Sequence, residues 1–317
     1  MLFAFLSTLE QMVRITLFLL IGFGLNRLRI LPAGAGTGIS RLITTVLVPA
    51  FLIYSNMTEF RIENVSTYGR LVVLGVIFLT AAILLGMVVA KKLSGGNPLE
   101  RGIYLYGLCF PNSSAVGTPL VIALLGSAGL LEFNLFLLSW VFMTYAWGIN
   151  LFLGSKEEKG LKQILIRLFN PVFSSTLIGL LLGACNAMQW MPSIAVELLG
   201  DLGSCYIPIS LLMVGYTIAD YPLNDVFLRP KSYVFASFRL IFIPLVALLV
   251  SFWLGLPKSA ATLAVVAFAC PSGMNVVVFP ASYGQDCKTG ASIVLISCLG
   301  SILTVPVLYA LLQYFFP

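Results

Sequence analysis

Residues 107–120 read Gly-Leu-Cys-Phe-Pro-Asn-Ser-Ser-Ala-Val-Gly-Thr-Pro-Leu, a polar stretch bracketed by Pro111 and Pro119 inside an apolar run. A second polar stretch, Cys270-Pro271-Ser272-Gly273-Met274-Asn275, is closed by Pro280, and its Pro271 lies 160 positions after Pro111. Hydrocarbon offers a backbone no hydrogen-bond partner, so an interrupted helix at membrane depth survives only where it lines a protein cavity. Two interruptions at matching places in two halves of a chain point to the binding site of a carrier.

Composition agrees that a membrane surrounds these breaks. Of 317 residues 59% are hydrophobic and only 9% charged, and the mean hydropathy is +1.02. Soluble domains are about a quarter charged, so this chain lacks the charges to coat a globule. A spanning helix needs about 20 apolar residues. Ten stretches qualify, at 9–28, 39–57, 68–90, 100–125, 131–153, 171–188, 197–219, 231–254, 260–285 and 289–314. The expected class is therefore an all-α integral membrane protein of ten transmembrane helices. The first stretch has no basic n-region and no convincing cleavage site, so it reads as a helix rather than a signal peptide.

Proline spacing divides the chain. Pro32 and Pro192 are 160 apart, Pro49 and Pro208 159, Pro98 and Pro257 159, Pro111 and Pro271 160, and Pro119 and Pro280 161. Residues 1–155 and 156–317 then read as two copies of one five-helix unit. An odd helix count turns the second copy upside down, the inverted-repeat plan of many carriers. The join, Ser155-Lys156-Glu157-Glu158-Lys159, is the most hydrophilic run and reads as a solvated linker. With the first residue outside, 14 of the 18 basic residues fall on the cytoplasmic side, including Arg27, Arg41, Lys91, Arg101, Arg229 and Lys288. Positive charge marks the cytoplasmic side, so both termini are expected on the outer side.

Other chemistry is excluded or set aside. There is no histidine, hence no histidine proton relay and no serine–histidine hydrolase. The six cysteines form no Cys-x-x-Cys pair, so neither a metal nor another cofactor is implied. The +6 net charge needs no nucleic-acid partner, because loop charges explain it. Gly34-x-Gly36-x-Gly38 follows a membrane helix rather than a strand and lacks the Walker lysine.

At the first break Pro111 removes a donor and blocks the carbonyl four residues back. Asn112, Ser113, Ser114, Gly117 and Thr118 supply polar groups where the backbone cannot. An Asn or Ser there suits the N-cap of a second half-helix, whose end carries partial positive charge and favours an anionic guest. Pro271, Ser272, Gly273 and Asn275 repeat the device. The substrate-binding residues are therefore expected among Pro111, Asn112, Ser113, Ser114, Pro271, Ser272, Gly273 and Asn275.

On those residues, Pro111-Asn112-Ser113-Ser114-Ala115-Val116-Gly117-Thr118-Pro119-Leu120 resembles the crossover motif of the auxin efflux carrier family. That family includes the plant PIN auxin carriers and bacterial permeases for malonate or malate. Pro271, Asn275, Tyr283-Gly284, Asp286, Ala291, Leu295, Ser301, Thr304 and Pro306 resemble its C-terminal signature, and Pro49 and Arg239…Pro244 fit its pattern. The resemblance implies broken, crossing helices 4 and 9, a scaffold of helices 1, 2, 6 and 7, and a moving transport domain of helices 3–5 and 8–10. It further implies elevator-type transport of a small organic anion across the bacterial cytoplasmic membrane, often by a homodimer, with Asn112 binding the carboxylate. Ser272 stands where a second asparagine would match Asn112, with Asn275 three residues on, which leaves open which of the two acts.

Ionisable residues inside a membrane are functional candidates by default. Arg239 lies eight residues beyond Lys231, about 12 Å into its helix. It reads either as a cation snorkelling to the cytoplasm or as an internal charge that holds the crossover or attracts the anion. Asp201 and Asp286 are the places to look for a coupling site. A sodium- or proton-coupled symporter of the bile-acid type would want acids at the breaks, and neither break has one between its prolines. A channel remains a rival that counterflow would exclude.

Overall fold

The computed structural model describes residues 2–32, 34–152, 169–221 and 223–316. The expected linker at 155–159 lies outside the described residues. Every regular element described is helical; the sole β feature is an isolated bridge. Among the described residues seven helices are long and apolar enough to cross a membrane, with two shorter apolar helices at Pro171–Ala184 and Lys258–Ala269.

In chain order, α1 is Leu2–Arg27, and α2 (Ala35–Leu42) runs through a π turn into α3 (Val48–Glu59). Next come α4 (Val65–Ser94), α5 (Pro98–Cys109), α6 (Thr118–Phe136) and α7 (Leu138–Ala146). After the undescribed stretch follow α8 (Pro171–Ala184), α9 (Ser193–Ser204), α10 (Tyr206–Ile218) and the short α11 (Leu223–Phe227). The chain finishes with α12 (Pro230–Ser237), α13 (Ile243–Trp253), α14 (Lys258–Ala269), α15 (Asn275–Ser282) and α16 (Lys288–Phe315).

Three prolines explain the local geometry of three of these helices. Π turns occupy Ile43–Leu47, Ser113–Gly117 and Phe238–Phe242, and Pro49, Pro119 and Pro244 each follow two residues after the turn ends. A helical proline lacks a donor and collides with the carbonyl four residues back. Widening the preceding turn is one of the local adjustments that accommodate this in membrane helices, and such π turns gather at functional sites. Pro119 therefore brackets the polar stretch without interrupting the helix. It sits in the first turn of α6, and the break is confined to Phe110–Asn112. Gly126 (φ 73°) ends the first part of α6, as the expected boundary near residue 125 requires.

Small residues set the closest helix approaches. A Cβ on Gly22 would lie 1.9 Å from the Leu212 carbonyl oxygen, and one on Gly215 1.9 Å from that of Leu19, so α1 and α10 touch backbone to backbone. On the other side α8 packs along α3 through Gly179, where a Cβ would meet the Asn56 side chain at 2.9 Å. Without a hydrophobic force between helices in lipid, such close packing is what holds them.

Polar contacts gather the expected cytoplasmic loops on one face. Asn26 Nδ2 donates to Asp220 Oδ1 (2.7 Å), joining the ends of α1 and α10. Gln285 Nε2 donates to the Phe152 carbonyl (2.9 Å). Arg229 donates to Thr289 Oγ1 (2.9 Å), which donates to Glu100 (3.3 Å), joining the starts of α5, α12 and α16.

Candidate functional site

Each break repairs the other. Pro111 has no N–H, and the chain leaves the helix at Phe110, so several backbone groups lose their helical partners. Asn112 N–H donates to the Pro271 carbonyl (2.8 Å), and Gly273 N–H donates to the Phe110 carbonyl (3.2 Å). These two bonds make the antiparallel bridge between Pro111 and Ser272. Ser272 N–H donates to Ser297 Oγ (3.1 Å) on α16. The backbone groups released at one interruption are the partners the other needs, which is how irregular chain is kept inside an apolar protein.

Beside this junction lies a cavity of about 390 Å³. One wall comes from α2, α3, α8 and α10, with Ser40, Thr44, Thr176, Tyr206 and Thr217 among its polar residues; the other comes from α5, α6, α7, α15 and the breaks. Among the described residues no lining side chain carries a formal charge. The polar groups are hydroxyls and amides, set among Phe51, Phe110, Phe133 and Trp140. Ser40 in the last turn of α2 and Thr217 at the end of α10 carry the cavity toward the face where the basic loops gather.

Of the expected binding residues, Pro111, Asn112, Ser113, Ser114, Gly273 and Asn275 line this cavity. Pro271 and Ser272 do not; both are buried, and Ser272 is fully so. Between the two candidates in the second break, then, Asn275 stands at the cavity and Ser272 behind it. Asn112 is 8% exposed; its Oδ1 accepts from Ala115 N–H (3.4 Å), capping the onward helix. Its Nδ2 is buried and has no partner among the described residues. A buried amide donor left unmade costs about 1–3 kcal/mol, so this atom marks a place for an acceptor. Asn275 Nδ2 donates to Tyr106 Oη (2.9 Å), whose ring stacks on Phe110 at 4.4 Å. Tyr106, Asn134, Thr144 and Tyr206 also line the cavity and were not expected from sequence.

The expected charges fall elsewhere. Arg239 is fully buried and does not reach the cytoplasm, so it does not snorkel. It is absent from the cavity wall. Its Nη1 donates to the Leu108 carbonyl (2.8 Å), Nε to that of Cys270 (3.1 Å) and Nη2 to that of Ala267 (3.3 Å). These are carbonyls at the C-terminal ends of α5 and α14, so Arg239 ties those two helix ends together. Asp201 is exposed on α9, away from the cavity. Asp286 is exposed and its Oδ1 accepts from Lys288 N–H (2.9 Å), capping α16. Among the described residues no cluster of His, Cys, Asp or Glu is arranged to hold a metal.

Comparison with known proteins places the chain. A family model described as membrane transport protein matches residues 7–309. The chain is 24% identical over 312 residues, 95% of its own length and 97% of the other's, to a protein of Methanothermobacter thermautotrophicus described as an uncharacterized transporter. The chain belongs to this membrane transport protein family, the auxin efflux carrier family whose motif its breaks resemble. It is an integral membrane protein of a family of transporters rather than enzymes.

Proposed function

We propose that this protein is a secondary transporter carrying a small organic carboxylate across the cytoplasmic membrane, with α4–α7 and α12–α16 moving as a unit against α1–α3 and α8–α10. One observation carries the reading: the cavity at the paired breaks lies between these two sets of helices and is lined by Asn112, whose buried Nδ2 has no partner among the described residues. A site walled by two bodies becomes accessible from alternate sides when one body moves past the other. The half-helices beginning after each break turn partial positive charge toward the cavity, and a carboxylate is the guest that charge and an amide donor together suit.

Ten spanning helices in two inverted repeats, 1–155 and 156–317, follow from the same reading. The short helices α5, α8 and α14 would complete spans that the long ones leave unfilled. Packing supports the symmetry: Leu19 of α1 meets Gly215 of α10, and 160 residues after Leu19, Gly179 of α8 meets Asn56, 159 before Gly215. With the basic face cytoplasmic, the cavity extends inward and both termini lie outside. Neither Asp201 nor Asp286 lines the cavity, and no acid lines it among the described residues, so transport is expected to follow membrane potential without needing sodium or a proton gradient. The test is uptake of labelled carboxylates into proteoliposomes under an imposed potential, with sodium and pH matched on both sides. Uptake that ignores potential and demands a cation gradient overturns this coupling scheme.

A further inference from the structure

Arg239 is the only charged side chain among the described residues that is fully buried, and it meets carbonyls rather than a carboxylate. Those carbonyls end two half-helices, α5 and α14, each terminating with roughly half a negative charge. Two such ends carry about one negative charge together, matched by one guanidinium. A few residues on, the half-helices that begin at Ser113 and Asn275 present about half a positive charge each at the cavity. Left alone, the negative ends would lie beside the positive ones and cancel much of their field at the ligand.

We infer that Arg239 is a positioning residue that makes the crossover anion-selective without touching the anion, by neutralising the C-terminal ends of α5 and α14 so that the N-terminal ends beyond the breaks act on the cavity unopposed. The inference rests on the proposed carboxylate site and names what sets its charge preference. A second observation points to a ligand at the same place: Asn112, more than nine-tenths buried, lines the cavity and carries a buried Nδ2 that has no partner among the described residues. The planar fork suits the task because it reaches three carbonyls from one fixed plane, with the guanidinium carbon 6.0 Å from the Phe268 ring centre. Its position on a π turn that ends two residues before Pro244 brings it inward from α12 to both half-helix ends.

The test compares each carboxylate with its neutral twin. Binding of benzoate, hexanoate and succinate, and of benzamide, hexanamide and succinamide, is measured on purified full-length protein, wild type, Arg239→Gln and Arg239→Lys. Wild type is expected to favour the carboxylates. Arg239→Gln should lower that preference by about tenfold, since a full positive charge is removed from the crossover beside a site of low dielectric, while amide binding is kept. Arg239→Lys keeps the charge and loses the fork, so it should retain the preference at a lower melting temperature. An unchanged carboxylate-to-amide ratio in a folded Gln variant overturns the inference and leaves the carboxylate site standing. If the Gln variant does not fold, loss of the preference in a folded Lys variant overturns it equally. A wild-type protein that binds none of the three carboxylates defeats the anion reading itself, and this inference with it.

Discussion

Replacing Asn112 by alanine isolates the atom on which the site reading turns. The Asn112 cap to Ala115 N–H is long at 3.4 Å. A good N-cap is worth about 1 kcal/mol, so the loss here should be at the low end of that and barely move the melting temperature. Its Nδ2, in contrast, has no partner to lose in the empty protein. A hydrogen bond to a charged group contributes about 1.5–3 kcal/mol, and each 1.4 kcal/mol is about tenfold in affinity. Asn112→Ala should therefore weaken carboxylate binding roughly 10- to 150-fold while expression and monodispersity survive. Titration calorimetry on purified wild type and variant, with the tightest-binding carboxylate of a screen, reads the ratio directly. Equal dissociation constants would refute the placement of the ligand at Asn112.

Other outcomes follow from the same geometry. Ser272→Ala should leave binding unchanged and stability equal or higher, since it deletes a buried hydroxyl that has no partner; thermal melts and the same titration check both. Asn275→Ala should lower stability by about 1 kcal/mol through the lost Tyr106 bond and weaken binding as well, in contrast to Ser272→Ala. Gly22→Ala and Gly215→Ala should separate α1 from α10 and reduce monodisperse yield on size-exclusion chromatography, because the added carbon would lie 1.9 Å from a carbonyl oxygen; Gly24→Ala, with nothing within 4 Å, should be silent. In a cysteine-free background Ser155→Cys should react with an impermeant maleimide only after the membrane is permeabilised, and ready labelling of intact cells would reverse the orientation.

Much of this was legible in the sequence because prolines and charges act locally. Pro111 and Pro271 had to interrupt their helices, and the two interruptions meet in the bridge between Pro111 and Ser272. The basic loops that were expected on one side do meet on one face, through Asn26–Asp220 and Arg229–Thr289–Glu100. Pro119, which brackets the first polar stretch, leaves its helix unbroken, because a proline can be absorbed by a π turn as readily as it can break a helix, and spacing does not distinguish the two. Ser272 and Asn275 could not be separated either, since which faces the cavity depends on the bridge between breaks. Tyr106, Asn134, Thr144 and Tyr206 gave no signal: each is an ordinary polar residue on an apolar helix, and only packing shows which face meets the cavity. For Arg239 the sequence held two readings open. Its position eight residues into a helix gave depth but not direction, and its partners are carbonyls contributed by segments 28 to 131 residues away.

The central claim, that the paired breaks form the site of a carrier rather than a pore, is tested most directly by counterflow. Proteoliposomes loaded with an unlabelled carboxylate are diluted into a trace of the same labelled compound, with the potential clamped at zero. The account predicts transient accumulation of label above equilibrium in wild type, driven by the outward gradient of unlabelled substrate, and none with Asn112→Ala at the same protein density. Label that only relaxes to equilibrium, with no effect of internal substrate on its entry, would contradict it.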